Sequence, residues 1–207
     1  TIFSFHPVKI ITTVEGGIAT TNCKNLAETM KELRSHGITK DQNKFIEKRE
    51  NEKWRYEQQK LGFNYRLTDI SASLGLSQLK RLESIVEERN LLFENYKKHL
   101  CFYDLNMIEI PEGVYSALHL AILRFSDLDL QSKLYETLRK YSIGSQVHYI
   151  PVHLQPYYTS HFGFKEGDFP QAELYSKTCL SLPLFSGMQF DAQSRVIETT
   201  LSIIGKK

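Results

Sequence analysis

Residues 4–17, SFHPVKIITTVEGG, contain a lysine whose neighbours could make it reactive. Val8 precedes Lys9, and Ile10 and Ile11 follow it. A lysine amine attacks an electrophile only when it is neutral, and burial among apolar groups lowers its ordinary pKa of about 10.4. The pattern therefore indicates that Lys9 is a candidate nucleophile. On these residues alone, a lysine that is simply solvated at the end of a strand remains the alternative.

Three further polar residues could bind an anion. Ser4, upstream of Lys9, could offer a hydroxyl to an anion beside the amine, although strand hydroxyls also bond to their own backbone. Asn64 and Arg66 stand just before a predicted helix start. By residue type alone they indicate a polar turn, with an arginine available for surface ion pairs.

The histidines of the segment QVHYIPVH invite a metal interpretation. Neither His148 nor His153 has a cysteine or carboxylate at ligand spacing, so we predict no metal site. Cys23, Cys101 and Cys179 are odd in number, far apart and without a Cys-x-x-Cys spacing. This usage predicts reduced cysteines of a cytoplasmic protein rather than a disulfide framework or a zinc site.

The composition is that of an ordinary globular chain. The 207 residues, 41% of them hydrophobic and 24% charged, suffice to bury a core. A net charge of +2 creates no field suited to nucleic acid. No apolar run approaches the roughly 20 residues of a membrane span. We therefore expect neither nucleic acid nor a membrane as a partner.

The elements around Lys9 are predicted to be two short strands. Residues 1–5 and 18–21 have strand composition, and the pair Gly16-Gly17 permits a tight turn. Because a domain seldom begins within a strand, we expect this chain to be the C-terminal part of a longer protein.

The rest of the chain alternates helices and strands, which predicts an α/β protein. Residues 39–60 are polar without an amphipathic stripe and predict a long, partly mobile loop. The longest helix is predicted over residues 68–99, with Thr68 as its N-cap and one continuous apolar face. A domain boundary is predicted after residue 100, which gives domains 1–100 and 101–207. The other predicted elements are helices at 25–37, 130–141, 171–178 and 191–204, strands at 117–124 and 144–149, and a short loop or turn at 151–158.

Three motifs, in order along the chain, resemble one protein family. They are SFHPVKIITTVEGGIATTN, LRSHG and LGFNYRLTDISASLGLSQLKRL. Together they are similar to the sugar aminotransferases of the DegT/DnrJ/EryC1/StrS family, over nearly the whole chain. The resemblance implies an α/β fold-type I aminotransferase. Residues 1–100 would be the end of the large domain that binds pyridoxal phosphate, and the small α+β C-terminal domain would follow.

The resemblance also implies roles for the candidate residues. Lys9 would form the Schiff base with pyridoxal 5'-phosphate and then move a proton between amino acid and cofactor. Ser4 would donate to the cofactor phosphate. Asn64, with Arg66, would reach across a homodimer interface to the phosphate in the partner subunit. A dehydratase of the same family is not expected, because such enzymes have histidine in place of the lysine.

Within the family, the segments SFHPVK and QVHYIPVHLQPYY are similar to the 4-aminotransferases of the pseudaminic-acid pathway. This similarity implies amino transfer from glutamate to a UDP-linked 4-keto-6-deoxy sugar, with His148 and Tyr149 near the sugar. The family's N-terminal part, which carries most of the cofactor pocket, is missing from this sequence, so we expect the chain alone to be inactive. A non-catalytic interaction or regulatory protein on the same scaffold is the alternative.

Overall fold

The computed structural model describes residues 1–49, 51–101 and 105–204. The chain divides into two compact units, Thr1–Arg81 and Leu82–Lys207. Each unit has its own secondary structure.

The first unit opens with an antiparallel strand pair. β1, Ile2–Ser4, pairs with β2, Gly17–Ala19, so that Ser4 lies opposite Gly17. A Cβ on Gly17 would lie 2.8 Å from the carbonyl oxygen of Phe3, so the close approach of the two strands requires glycine there. The predicted strands are confirmed, and the whole segment between them forms the connection that carries Lys9.

Helix α1, Lys24–Arg34, follows the strand pair; Cys23 occupies its N-cap position without a side-chain hydrogen bond. Two short strands, β3 at Ile38–Thr39 and β4 at Glu57–Gln58, then pair in an antiparallel manner. Between them lies a 3₁₀ helix, Gln42–Lys44. The prediction of a long loop without regular structure over residues 39–60 is therefore wrong at both ends of that segment.

Side-chain carboxylates hold the segment between β3 and β4 in place. Glu57 accepts hydrogen bonds from the backbone N–H of Ile46 at 2.8 Å and of Glu47 at 3.3 Å. Arg55 donates to Glu57 at 2.9 Å. Hydrogen bonds of polar side chains thus hold this segment in place, whereas an amphipathic element is held by the packing of its apolar face.

The predicted single helix over residues 68–99 is in fact two helices. α2, Asp69–Leu79, begins at Thr68, whose side chain accepts from the N–H of Ser71. α3, Leu82–Leu100, starts after a break at which the N–H of Arg81 bonds to the carbonyl of Gln78, an i→i−3 bond. The correction has a packing cause, because α2 belongs to the first unit and α3 contributes core residues to the second.

The second unit contains a three-stranded antiparallel sheet in the order β5-β6-β7. Its strands are β5, Leu105–Met107, β6, Ala121–Phe125, and β7, Cys179–Leu182. Four helices join α3 in this unit: α4 at Leu128–Lys140, α5 at Pro156–Phe162, α6 at Pro170–Thr178 and α7 at Phe190–Ile204. The second unit therefore has the α+β composition expected of the C-terminal part.

Helices α3, α4 and α7 pack on this sheet around one apolar core. Burying each large side chain stabilises the fold by about 1.5–3 kcal/mol. The largest fully buried residues of the core include Phe93, Tyr96, Leu100, Leu123, Leu134, Leu138 and Leu180.

Two predictions for the second unit are wrong. Residues 144–149 form one isolated bridge, Gln146 to Ser181, instead of a strand. In an antiparallel ladder through this bridge, residue 144 would pair with Pro183, which has no N–H to donate. Residues 151–158, predicted as a loop, contain a 3₁₀ helix, Val152–Leu154, and the start of α5.

Candidate functional site

Lys9 lies in the connection between β1 and β2, residues 5–16, which we call the lysine loop. A turn places it, because the N–H of Lys9 donates to the carbonyl of His6 at 2.9 Å. Lys9, Ile10 and Ile11 are half-buried, whereas Val8 is 65% exposed. The apolar neighbours on the C-terminal side of Lys9 are therefore half-buried, as predicted, whereas the neighbour on its N-terminal side is exposed to solvent.

Hydrogen bonds close the base of the lysine loop. The carbonyl of Phe5 accepts from the N–H of Thr13 at 3.0 Å and from the hydroxyl of Thr12 at 2.9 Å. The N–H of Phe5 donates to the carbonyl of Gly16 at 2.9 Å. The same Thr12 hydroxyl accepts from the N–H of Val14 at 2.9 Å. Both ends of the loop are therefore fixed, and the backbone at Lys9 has a defined position.

Ser4 is the last residue of β1 and is exposed. Its Oγ accepts from the N–H of His6 at 3.4 Å, a long contact that leaves the hydroxyl proton available to a ligand. Ser4 and Lys9 thus belong to one hairpin, which presents a primary amine and a hydroxyl. That donor set suits a cofactor with an aldehyde and a phosphate, which Lys9 and Ser4 would hold respectively.

Asn64 and Arg66 lie on the segment between β4 and α2, and both are exposed. Asn64 forms an antiparallel bridge with Ser35, just after α1, and the N–H of Tyr65 donates to the carbonyl of Arg34 at 2.9 Å. The end of α1 therefore positions Asn64. The two residues share the first unit with Lys9 but lie on a different loop.

His148 and Tyr149 belong to the second unit. His148 Nδ1 lies 2.7 Å from Ser181 Oγ. The rings of His148 and Tyr149 pack edge to face, with their centroids 4.7 Å apart. Tyr149 is 68% exposed, so its phenol is accessible to a ligand. The bond to Ser181 fixes the His148 ring on β7, and the neighbouring tyrosine extends outward from it.

Two residues that matter for the lysine loop were not found by sequence analysis. The side chain of Gln78 bonds to the backbone of Thr12, and Gly75 packs against Thr13. Both belong to α2, far along the chain from the loop. A glutamine near a helix end carries no signal of such a contact. The glycine inside a helical pattern was the available clue, because it lowers helix propensity without an evident local reason.

Among residues 1–49, 51–101 and 105–204, no helix is both long and apolar enough to cross a membrane. In the same residues, no group of three or more His, Cys, Asp or Glu side chains could hold a metal ion.

Comparison with known proteins gives one consistent result. The sequence pattern of the DegT/DnrJ/EryC1/StrS aminotransferase family matches residues 1–201. The UDP-4-amino-4,6-dideoxy-N-acetyl-beta-L-altrosamine transaminase of Campylobacter jejuni serotype O:23/36 is 36% identical, over 99% of this chain and 52% of that protein.

Solved structures agree. PseC of Helicobacter pylori, an aminotransferase of pseudoaminic acid biosynthesis, has a TM-score of 0.86 at 29% identity, covering 100% of this chain and 53% of that one. Spr1654 of Streptococcus pneumoniae in its PMP form has a TM-score of 0.88 at 30% identity, over 100% and 53%. The predicted α/β aminotransferase fold is confirmed, and the chain spans about half the length of the curated relatives it matches.

Proposed function

Because the chain belongs to the DegT/DnrJ/EryC1/StrS aminotransferase family, we propose that the protein is a pyridoxal-phosphate-dependent aminotransferase of nucleotide sugars and that Lys9 is its reactive lysine. The observation that carries the proposal is the half-buried Lys9 on a loop closed at both ends. A structure of the relative Spr1654 in a PLP form, with a TM-score of 0.86, supports the choice of cofactor.

The chemistry divides between cofactor and chain. Bound pyridoxal phosphate supplies an electron sink that stabilises negative charge on the carbon next to the amino nitrogen. Lys9 Nζ would hold the cofactor at its aldehyde carbon, with the aldehyde oxygen leaving as water, and the amine, once released, would move a proton at the substrate carbon that bears the amino nitrogen. The hydroxyl of Ser4 would donate a hydrogen bond to a phosphate oxygen. The closed base of the lysine loop fixes the backbone at Lys9 and so limits where its amine can lie, which favours a proton transfer.

The substrates we propose are a UDP-linked 4-keto-6-deoxy sugar as acceptor and glutamate as amino donor. The names of the Campylobacter and Helicobacter relatives support the sugar class. His148 and Tyr149 would contact the sugar, since Tyr149 is exposed and His148 is fixed by Ser181. We further propose a homodimer in which Asn64 and Arg66 serve the partner's phosphate site, for which an arginine fork is well suited.

The test uses the complete gene product that contains this chain. It is assayed with glutamate against a panel of UDP-linked keto sugars, and the amino sugar is identified by mass spectrometry. Borohydride reduction in the presence of pyridoxal phosphate, followed by peptide mapping, should place the label on Lys9. Lys9→Ala should abolish both turnover and labelling, whereas Lys24→Ala, at an exposed lysine of α1, should change neither.

Three results would overturn the proposal, the first two by excluding Lys9 and the third by excluding catalysis. The first is a label on another lysine with Lys9 unmodified, and the second is turnover that survives Lys9→Ala. The third is a protein that shows neither labelling nor turnover, which would instead be a non-catalytic protein on the same scaffold.

A further inference from the structure

Helix α2 contacts the lysine loop at two points, Gln78 and Gly75. We propose that this face of α2 is the platform that fixes the lysine loop and thereby orients Lys9, which makes Gln78 and Gly75 positioning residues. The part of the proposal that concerns Lys9 rests on the proposed function, whereas the part that concerns the loop does not.

The side chain of Gln78 forms hydrogen bonds with both backbone polar groups of Thr12. Its Oε1 accepts from the N–H of Thr12 at 3.2 Å, and its Nε2 donates to the carbonyl of Thr12 at 2.7 Å. A side-chain amide bound in this way replaces a neighbouring strand, since it supplies one donor and one acceptor. Thr12 is half-buried, and buried backbone groups need such partners.

Gly75 lies one helical turn before Gln78, so both residues present the same face of α2. A Cβ at position 75 would lie 2.7 Å from Thr13 Cγ2, and Thr13 is only 2% exposed. A glycine within a helix costs about 1 kcal/mol relative to alanine. The close approach of Thr13 is a physical reason for glycine at this position, because any larger residue would require Thr13 to move.

The two contacts act on consecutive loop residues just after the Lys9-Ile10-Ile11 segment. On the strand side, the carbonyl of Phe5 holds Thr12 and Thr13; on the helix side, Gln78 and Gly75 hold the same pair. The turn with Lys9 lies between Phe5 and Thr12. With both of its ends fixed, the lysine side chain extends from a backbone position that α2 determines.

The first test replaces Gln78 by methionine, which keeps the length of the side chain and removes both hydrogen bonds. The control is Gln171→Met, at an exposed glutamine of α6. Two quantities are measured on the complete gene product. One is the hydrogen exchange of the backbone amides of residues 9–13, and the other is borohydride trapping of pyridoxal phosphate on Lys9. For Gln78→Met we expect the Thr12 amide to exchange about tenfold faster, as the loss of one hydrogen bond predicts, and Lys9 to be trapped more slowly. The control should behave as the wild type.

The second test exploits the opposite signs of two effects. Gly75→Ala should raise helix propensity, yet we expect faster amide exchange in the lysine loop and slower trapping, because the added methyl group meets Thr13 Cγ2. Adding Thr13→Ser removes that methyl group and keeps a hydroxyl for the carbonyl of Glu15, which Thr13 Oγ1 now contacts at 2.8 Å. The double variant should regain wild-type exchange and trapping.

The results separate this proposal from the proposed function. If the wild type is not labelled at Lys9, the function fails, and the exchange data alone decide whether α2 holds the loop. If the loop amides of Gln78→Met exchange at the wild-type rate, the proposal that α2 fixes the lysine loop is wrong. Changed exchange with unchanged trapping overturns the orienting role of α2, and a Gly75→Ala variant with better protected loop amides would show that no close contact exists.

Discussion

His153 Nε2 lies 2.9 Å from Glu173 Oε1, and both side chains are buried in the second unit. The carboxylate of Glu173 also accepts from the N–H of Gly167 at 2.9 Å and of Phe169 at 3.2 Å. The hydrogen bond from the Gly167 amide, followed by that from His153, lowers the pKa of the Glu173 carboxyl. This arrangement gives His153 a structural role, and it attaches the segment before α6 to the 3₁₀ helix at Val152–Leu154.

Acid should weaken this attachment. Because the pKa of Glu173 is lower in the folded state than its ordinary 4.5, its stabilisation is complete above that pH and is lost as the pH falls through the folded-state pKa. Glu173→Gln should therefore lower the Tm at neutral pH and reduce the fall of the Tm between about pH 5 and pH 3. Thermal unfolding followed by circular dichroism measures both quantities.

The control for this experiment is Glu166→Gln. Glu166 pairs with Lys177 at 2.8 Å, but both side chains are mostly exposed, so the pair contributes little. If Glu173→Gln leaves the acid dependence of the Tm the same as in the wild type, the carboxylate does not stabilise the fold in the way we describe.

Arg89 of α3 should be important for stability. Its guanidinium is buried and donates to the carbonyl of Leu118 at 2.9 Å and of His119 at 2.8 Å, and burial lowers its pKa. Arg89→Met would leave buried carbonyls without these donors, so we expect a loss of about 2–4 kcal/mol in the free energy of unfolding. Urea denaturation measures the loss, with Lys98→Met at an exposed position of the same helix as the control. A loss no larger than that of the control would contradict the assignment.

The elements that sequence analysis predicted well are those with a local cause. The strands around Lys9 and the helices α1, α4, α6 and α7 follow from composition and apolar spacing. The break between α2 and α3 does not, because Leu79 and Leu82 continue the apolar pattern and no glycine or proline marks the junction. The two helices belong to different units, and only α3 contributes residues to the apolar core. Helical spacing alone does not contain that information.

The sequence around helix α5 contains residues typical of a helix start and a helix end, although a loop was predicted there. Pro156 stands at its first turn and Gly163 ends it with a φ of 71°. These are the residues that favour a helix start and a helix end. The candidate site shows the reverse case. The segment around Lys9 predicted a reactive lysine, but the two hydrogen bonds between Gln78 and Thr12 connect residues 66 positions apart and have no local trace in the sequence.

Tyr149 offers a test of the sugar contact that does not disturb the fold. It is 68% exposed, so Tyr149→Ala should change the Tm little. If the phenol contacts the sugar, we expect the KM for the keto sugar to rise about tenfold, the equivalent of about 1.4 kcal/mol, while trapping of pyridoxal phosphate on Lys9 is unchanged. The matched control is Tyr115→Ala, at a tyrosine that is 71% exposed in the same unit. An unchanged KM would remove Tyr149 from the substrate site.

Mixing experiments test whether Asn64 serves the partner subunit. Lys9→Ala and Asn64→Ala chains are each expected to be inactive or nearly so. In a two-fold symmetric dimer that shares residues across its interface, a heterodimer of the two variants has one site with both residues intact and one with neither. Equal mixing makes half of the dimers hetero, so about one quarter of the wild-type activity should return, by this symmetry argument. Activity is measured after the subunits have been unfolded and refolded together.

The control mixture fixes the interpretation of that result. It combines Lys9→Ala with the double variant Lys9→Ala/Asn64→Ala, which has no intact site in any arrangement and should stay inactive. If Asn64 instead acts within its own subunit, the heterodimer of the two single variants also has no intact site, and mixing restores nothing. The exposure of Asn64, whose backbone is bridged to Ser35, favours the first outcome, because an exposed side chain is available to another subunit. Recovery near one quarter would thus establish both the dimer and the shared site, whereas activity no higher than that of the parents would assign Asn64 to its own subunit or to no site at all.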